Sequence, residues 1–248
     1  MSIYPNRCHL SHIPLRKEPS HRSEMVTELL FGETYRIIEQ QNQWSHIETL
    51  YDSYKGWIPN GQIHQQNITE PTQCLKTPIY ARPSNKMLSI GSLVNQQLCP
   101  LLPPTTHCST LKDQYNTKTL FNIADNYFID TPYLWGGRTM WGIDCSGLTQ
   151  ILYRTIGIQL NRDSHQQAEA GKNIAFEHHQ IGDLAFFNST PDHQKITHVG
   201  IIAPNQQILH AASHVKYNKL THKGILHDNQ TSYTHYLIKI CRYADLTS

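Results

Sequence analysis

The pattern of the chain changes near Leu111, and that change constrains the fold more than any single residue. Before it, apolar and β-branched runs are short and broken by turn signals. MVTELLF, TYRIIEQ and WSHIETL are separated by GE and QNQ, and YKGWIPNGQI follows. Short strands so spaced predict a small barrel, with Trp44 and Trp57 in its core or at its rim. After Leu111, TLFNIADNYFIDT places Leu120, Ile123, Ala124 and Tyr127 at helical spacing. Strand-like DLAFF, THVGIIA, QILHAAS and THYLIKICRYA come later. Helices first and an antiparallel sheet afterwards predict an α+β arrangement.

The 248 residues suffice for a real core. A formal charge of +2 offers no strong pull toward nucleic acid, so no nucleic-acid partner is expected. The N-terminal stretch lacks an apolar h-region and no run reaches membrane-spanning length, so neither a signal peptide nor a membrane partner is expected. None of the six cysteines forms a CxxC pair. Reduced thiols and a cytoplasmic location are the simplest reading, with export left open. PLRKEPS and IYARPSNKMLSIGSLV share an Arg, a Pro-Ser and an apolar stretch ending at Gly, a degenerate echo of one unit in another. CPLLPPTTHCST then reads as a linker. The expected organisation is a barrel over 1–66, a second, incomplete barrel with linker over 67–110, and a third region over 111–248.

The stretch YLWGGRTMWGIDCSGLTQILYRTIGI (Tyr133 to Ile158) carries the first chemistry. Asp144 is a good N-cap, Leu148, Ile151, Leu152 and Thr155 make one apolar face, and Gly157 suits a helix stop. Cys145 is thereby placed at the first helical position. Two readings fit it: a small buried hydrophobe, or a thiolate nucleophile favoured by the helix dipole.

A nucleophile needs a base. In THVGIIAPNQQILHAAS, a hairpin with its loop at Ala203, Pro204 and Asn205 would pair Ile202 with Gln206, Gly200 with Ile208 and His198 with His210. Opposed residues share one face of a sheet, so His198 could take the thiol proton while His210 orients its ring. A two-residue loop would send the two rings to opposite faces. Gly200, Ala211 and Ala212 leave room beside them, or merely pack against the helix.

With these residues in place, the second half resembles the NlpC-type cysteine peptidases of bacterial cell-wall metabolism. The resemblance spans Thr119 to Arg242 and rests on YLWGGRTMWGIDCSGL, RDSHQQ, IGDLAFF and HVGIIAPNQQILHAAS. It implies a papain-like core in which Cys145, His198 and His210 are catalytic. It implies that Tyr133 lies beside the nucleophile, that Asp144 and Ser146 bind substrate, and that Arg162, Asp163 and Ser164 belong to the motif lining the groove. The alternative for Arg162 and Asp163 is a surface ion pair. Asn161 stands where the family usually has proline, as does Ile181 before GDL.

The first half is similar to bacterial SH3-type barrels. Barrels before such a domain, without a secretion signal, resemble murein-recycling endopeptidases that cut the γ-D-glutamyl–diamino acid bond of free muropeptides bearing an unblocked L-Ala. That resemblance assigns Glu33 and Tyr54, with Asp144, to recognition of the free amine; the alternatives are a turn residue and a rim aromatic. A charged amine needs carboxylate and hydroxyl partners that a blocked one cannot use. The implied partner is an L-Ala-γ-D-Glu-diamino acid peptide, and no metal or cofactor is called for. Three alternatives stay open. One is a secreted hydrolase tethered to peptidoglycan by its barrels, another a non-catalytic peptide-binding module. The third is a zinc site of Cys145, His198 and His210.

Overall fold

The computed structural model describes residues 6–63, 73–81, 86–94, 108–110, 116–191, 193–229 and 231–244. Two units divide the chain. The first comprises Met1–Asp113 with Trp135–Met140, the second Gln114–Leu134 with Trp141–Ser248. Among the described residues no helix is long and apolar enough to cross a membrane.

In the first unit, β1 (Asn6–Arg7), β2 (His12–Arg16), β3 (Met25–Leu30), β4 (Thr34–Gln41), β5 (Trp44–Thr49) and β6 (Lys55–Pro59) form one sheet, in the order β1-β4-β5-β6-β2-β3. Period-two alternation turns Ile13, Leu15 and Ile47 inward, where they meet Cys8, Leu29, Tyr35 and Ile58 in one core. Trp57 is buried and stacks on His46 at 4.8 Å, while half-buried Trp44 lies against His21. Beyond it, β7 (Gln73–Leu75), β10 (Leu93–Val94) and β11 (Cys108–Thr110) make a three-stranded sheet, and β8 (Ile79–Ala81) pairs with β9 (Lys86–Leu88). Leu75, Ile79, Leu88 and Val94 cluster there with Phe31. Gly32 (φ 84°) joins the two parts: a Cβ on it would lie 2.0 Å from the Leu93 carbonyl oxygen, so only glycine permits the approach. Most of the linker read at CPLLPPTTHCST, and Arg82 to Asn85 of the echo, lie outside the described residues.

The excursion Trp135–Met140, carrying β12 (Arg138–Thr139), is tied into this unit by charge. Arg138 is buried and its guanidinium meets Glu33 through two hydrogen bonds of 3.0 Å each. Its backbone N–H donates to Glu28 Oε2 at 2.7 Å, and Nη1 donates to the Glu28 carbonyl at 2.6 Å. Trp135 Nε1 donates to Glu24 Oε1 at 2.7 Å.

The second unit begins with α1 (Thr117–Tyr127), capped by Asn116, whose side chain accepts from the Thr119 N–H at 2.9 Å. After β13 (Gly142–Ile143) comes α2 (Cys145–Thr155), then α3 (Ser164–Ala170). Every residue of α2 is buried, although its sequence reads as amphipathic. It packs on the sheet and also against α1 and α3. Two of its polar side chains bond within the unit: Gln150 Nε2 donates to the Leu160 carbonyl at 3.0 Å, and Thr149 Oγ1 lies 2.9 Å from Gln167 Oε1. Gly157 (φ 83°) ends it, with its N–H on the Arg154 carbonyl and that of Ile158 on the Tyr153 carbonyl.

The sheet runs β14 (Lys172–Ile174), β20 (Tyr233–Arg242), β15 (Leu184–Asn188), β16 (His198–Ala203), β17 (Gln207–Ala211), β18 (Val215–Thr221) and β19 (Gly224–Leu226). β19 also pairs with β20, so six strands close on themselves. Ala185, Phe187, Ile202, Ile208, Leu220, Ile225 and Ile240 fill one cluster of this ring.

The buried Arg138 pair is open to a direct test. Removing one partner of a buried ion pair leaves an uncompensated charge, worth roughly 3–5 kcal/mol. Arg138→Ala is expected to lower the urea midpoint accordingly, with the double change Arg138→Met and Glu33→Gln recovering much of the loss. An unchanged midpoint in the single variant would refute this role.

Candidate active site

Asp144 caps α2 by accepting the Gly147 N–H on Oδ1 at 2.7 Å, which puts Cys145 at the first helical position. The cysteine is 6% exposed, and its sulfur meets the backbone of Val199, the neighbour of His198 on β16. Burial pushes the Cys145 thiol up to about 12, and the adjacent Asp144 carboxylate adds to the rise. A rise of that size corresponds to roughly 4 kcal/mol, against about 0.3–1 kcal/mol from a helix N-terminus. Burial therefore wins over the dipole, and the resting group is the thiol.

The β16–β17 hairpin differs in register from the sequence expectation. Ile202 pairs with Ile208, Ile201 with Leu209 and Ala203 with Gln207. The loop is Pro204–Gln206, one residue later than read from sequence, with Asn205 and Gln206 in the left-handed region (φ 58° and 55°). The shift is even in parity, so His198 and His210 keep a common face and meet diagonally rather than directly opposed. His198 Nε2 lies 2.8 Å from His210 Nδ1. The same register sets Gly200 across from His210. A Cβ there would fall 2.6 Å from Ile208 Cγ1 and 3.1 Å from His210 Cβ, so the missing side chain is what lets β16 and β17 pack this closely.

Three further residues join this face and carry no obvious signal in the sequence. His235 of β20 stacks on His198 with ring centroids 4.1 Å apart. Asn218 of β18 places Oδ1 2.9 Å from His210 Nε2. Asp228, after β19, accepts from Asn218 Nδ2 at 2.5 Å. Asn218 and His235 are polar positions inside otherwise strand-like VKYNKLT and YTHYLIKICR, and Asp228 lies between the two stretches. Burial holds His198 well below its ordinary value, with His210 and His235 adding to the fall. Burial likewise lowers His210 and His235 to about 4.

Around Cys145, Arg162 is 1% exposed and grips Asp144 through Nη1–Oδ1 at 3.0 Å and Nη2–Oδ2 at 2.5 Å. Its Nη1 also lies 2.8 Å from Ser146 Oγ. The surface pair of Arg162 with Asp163 is thus replaced by a buried pair across the helix start. Asp163 instead caps α3, its N–H donating to Gln166 Oε1 at 3.3 Å, and Ser164 opens that helix. Tyr133 is half-buried with Cys145 and Asp144 in electrostatic reach; burial and both neighbours raise its phenol, so it stays a proton donor. Glu33 and Tyr54 belong to the first unit. Glu33 is buried with its carboxylate on Arg138. Tyr54 is half-buried in the β5–β6 turn, its N–H on Thr49 Oγ1 at 2.9 Å. Among the described residues, no group of three or more His, Cys, Asp or Glu side chains is placed to hold a metal ion.

A buried cysteine at a helix start, beside a strand whose histidine is ordered by a second histidine, defines a class of proteins. Residues 130–234 match the NlpC/P60 family and residues 15–63 the bacterial dipeptidyl-peptidase Sh3 domain. The chain carries an NlpC/P60 cysteine-peptidase domain behind an SH3-type domain.

The chain is similar to named relatives along most of its length. It is 25% identical over 232 residues to the gamma-D-glutamyl-L-lysine dipeptidyl-peptidase of Bacillus cereus, covering 77% of this chain and 68% of that protein. It is 28% identical over 216 residues to dipeptidyl-peptidase 6 of Lysinibacillus sphaericus, covering 70% and 78% respectively. The crystal structure of an NlpC/P60 family protein from Bacillus cereus shares the fold, with a TM-score of 0.81 at 19% identity over 97% of this chain and 99% of that one.

Two measurements probe these electrostatics. Alkylation of Cys145 by iodoacetamide, followed by peptide mass spectrometry, is expected to accelerate steadily as pH rises through 9, because the thiolate is scarce below that. A plateau below pH 7 would contradict a resting thiol. The three histidines also set an acid dependence. The unfolded chain takes up protons near pH 6.5, whereas native His210 and His235 do so only near 4. Stability from their neutral burial is full above 6.5 and lost as pH falls toward 4. The urea midpoint should drop across that window, with a shallower slope in His235→Phe; a midpoint independent of pH there would oppose it.

Proposed function

We propose that the protein is a cysteine endopeptidase that hydrolyses the γ-D-glutamyl–diamino acid bond of cell-wall peptides carrying a free N-terminal L-Ala, in muropeptide recycling or degradation. The observation that carries this reading is the 2.8 Å His198–His210 contact on the strand that meets Cys145. His210 occupies Nε2 of His198, so Nδ1 is the nitrogen left to receive the thiol proton. Cys145 Sγ attacks the γ-carbonyl carbon as His198 takes that proton. The oxyanion is stabilised by the Cys145 backbone N–H, since that of Gly147 is on Asp144, and by the Tyr133 hydroxyl. His198 returns the proton to the departing amine. Water then attacks the thioester with His198 as base, releasing L-Ala-D-Glu and the thiol.

Two relatives named as dipeptidyl-peptidases support cleavage after a dipeptide. Asp144, with Ser146 and Arg162 fixed around it, is the carboxylate near the nucleophile suited to a substrate ammonium. Asp163 and Ser164 support the same groove by starting α3, and a cytoplasmic site of action accords with recycled fragments as substrate.

The experiment is incubation of the full chain with matched L-Ala-γ-D-Glu-diamino acid tripeptides, free and N-acetylated. The free peptide should be cut and the acetylated one spared by at least about 100-fold, as for a site built around a buried polar contact. Cys145→Ala should abolish turnover. Equal cleavage of both peptides would remove the amine requirement, and full activity in Cys145→Ala would remove the mechanism.

A further inference from the structure

The hydrogen bonds of the site do not stop at His210. Its Nε2 lies 2.9 Å from Asn218 Oδ1, Asn218 Nδ2 donates to Asp228 Oδ1 at 2.5 Å, and Lys216 Nζ donates to Asp228 Oδ2 at 2.9 Å. Lys216 and Asn218 are two apart on β18 and so share a face; Asp228 reaches both from the far end of β19.

An ionised carboxylate can only accept hydrogen bonds. Asp228 therefore dictates which way the Asn218 amide points: the NH₂ group toward Asp228 and the carbonyl oxygen toward His210. A carbonyl oxygen also only accepts, so His210 must carry its proton on Nε2. Neutral imidazole holds one proton, which leaves His210 Nδ1 as a lone pair. His198 must then donate from Nε2, and its own lone pair falls on Nδ1, the nitrogen that the thiol requires. We propose that Asp228 is a positioning residue that, through Asn218 and His210, fixes His198 in the tautomer able to accept the Cys145 proton. When His198 becomes imidazolium it donates from both nitrogens, and no bond in the chain needs to reverse.

Other groups around the chain agree with this polarity. Lys216 keeps Asp228 ionised, with His227 acting in the same direction. Burial keeps His210 neutral, and His235, also neutral, stacks on His198 without taking its Nε2. Asp228 itself is mostly exposed, so its replacement should leave the core intact.

This inference rests on the proposed cysteine-peptidase reading, and its test separates the two. In Asp228→Asn, residue 228 can donate as well as accept. The Asn218 amide is then free to turn, and His210 and His198 gain access to the opposite tautomer. Imidazole ¹⁵N NMR of the unliganded full chain reads this without substrate. Both rings are expected as the Nε2–H form in the parent protein. In Asp228→Asn the Nε2–H signals of both should weaken, and kcat on the free tripeptide should fall roughly ten-fold or more with KM little changed. The swap of Asp228→Asn with Asn218→Asp restores an acceptor facing His210, and should bring back the tautomer and kcat to within about three-fold. A single Nε2–H form and parental kcat in Asp228→Asn would overturn the proposal, as would a swap that restores neither. If the parent protein shows the expected tautomers yet cuts neither tripeptide, the substrate reading fails and the positioning role stands.

Discussion

The hydrogen bond between His198 and His210 is the constraint on which the rest of the candidate site depends. Two imidazoles meet at 2.8 Å only if they are not both charged, since two cations at that separation in a buried setting repel strongly. Neutrality is imposed by burial, and burial by the closed ring of strands, with Phe187, Ile202 and Ile208 filling the cluster beside the histidines. Closure through β19 and β20 brings His235 over His198. The geometry also needs Gly200, because any side chain across from His210 would press on Ile208 and on the Leu209 carbonyl beside it. Fold closure and the neutrality of the histidine pair are thus one problem: strands that failed to close would admit water, and the imidazole pair would titrate.

The same burial raises the thiol, so the helix dipole alone cannot make Cys145 a nucleophile. Asp144 sharpens the conflict. It is needed as the N-cap of α2, yet its charge opposes a thiolate next to it. Arg162 resolves part of this by holding both carboxylate oxygens. In the proposed reaction this favours attack coupled to proton transfer over a standing ion pair, which places the demand on the base rather than on the sulfur.

What was legible in the sequence was local. Asp144, Gly157 and the spacing of Leu148, Ile151 and Leu152 define α2 because capping and periodicity are written within a dozen residues. The alternation of short strands and turns defined the first unit in the same way. The hairpin register was half legible. Parity rested on a three-residue loop, which the hairpin has, but the exact loop depended on Gln206 adopting a left-handed conformation that its residue type does not advertise. Arg162 shows how adjacency misleads: its sequence neighbour Asp163 is occupied as a helix cap, and the true partner lies 18 residues away. Asn218, Asp228 and His235 were illegible because their roles arise from strand closure, and Arg138 because its partners Glu28 and Glu33 lie more than a hundred residues earlier.

Arg138 and Arg162 also show why buried guanidinium groups recur at the points where order is needed most. Each is almost fully buried, each meets a carboxylate through two hydrogen bonds, and each adds a third bond of different kind: Arg138 to the Glu28 carbonyl, Arg162 to the Ser146 hydroxyl. Desolvation makes such pairs poor sources of net stability, since an apolar replacement of both partners is often as stable. Their value is directional. The planar fork accepts one geometry and rejects neighbouring ones, so Arg138 holds the excursion Trp135–Met140 in one conformation, and Arg162 holds the cap of α2 in another. The second of these fixes the turn from which Cys145 emerges, and the proposed attack on a carbonyl carbon depends on where that turn aims the sulfur.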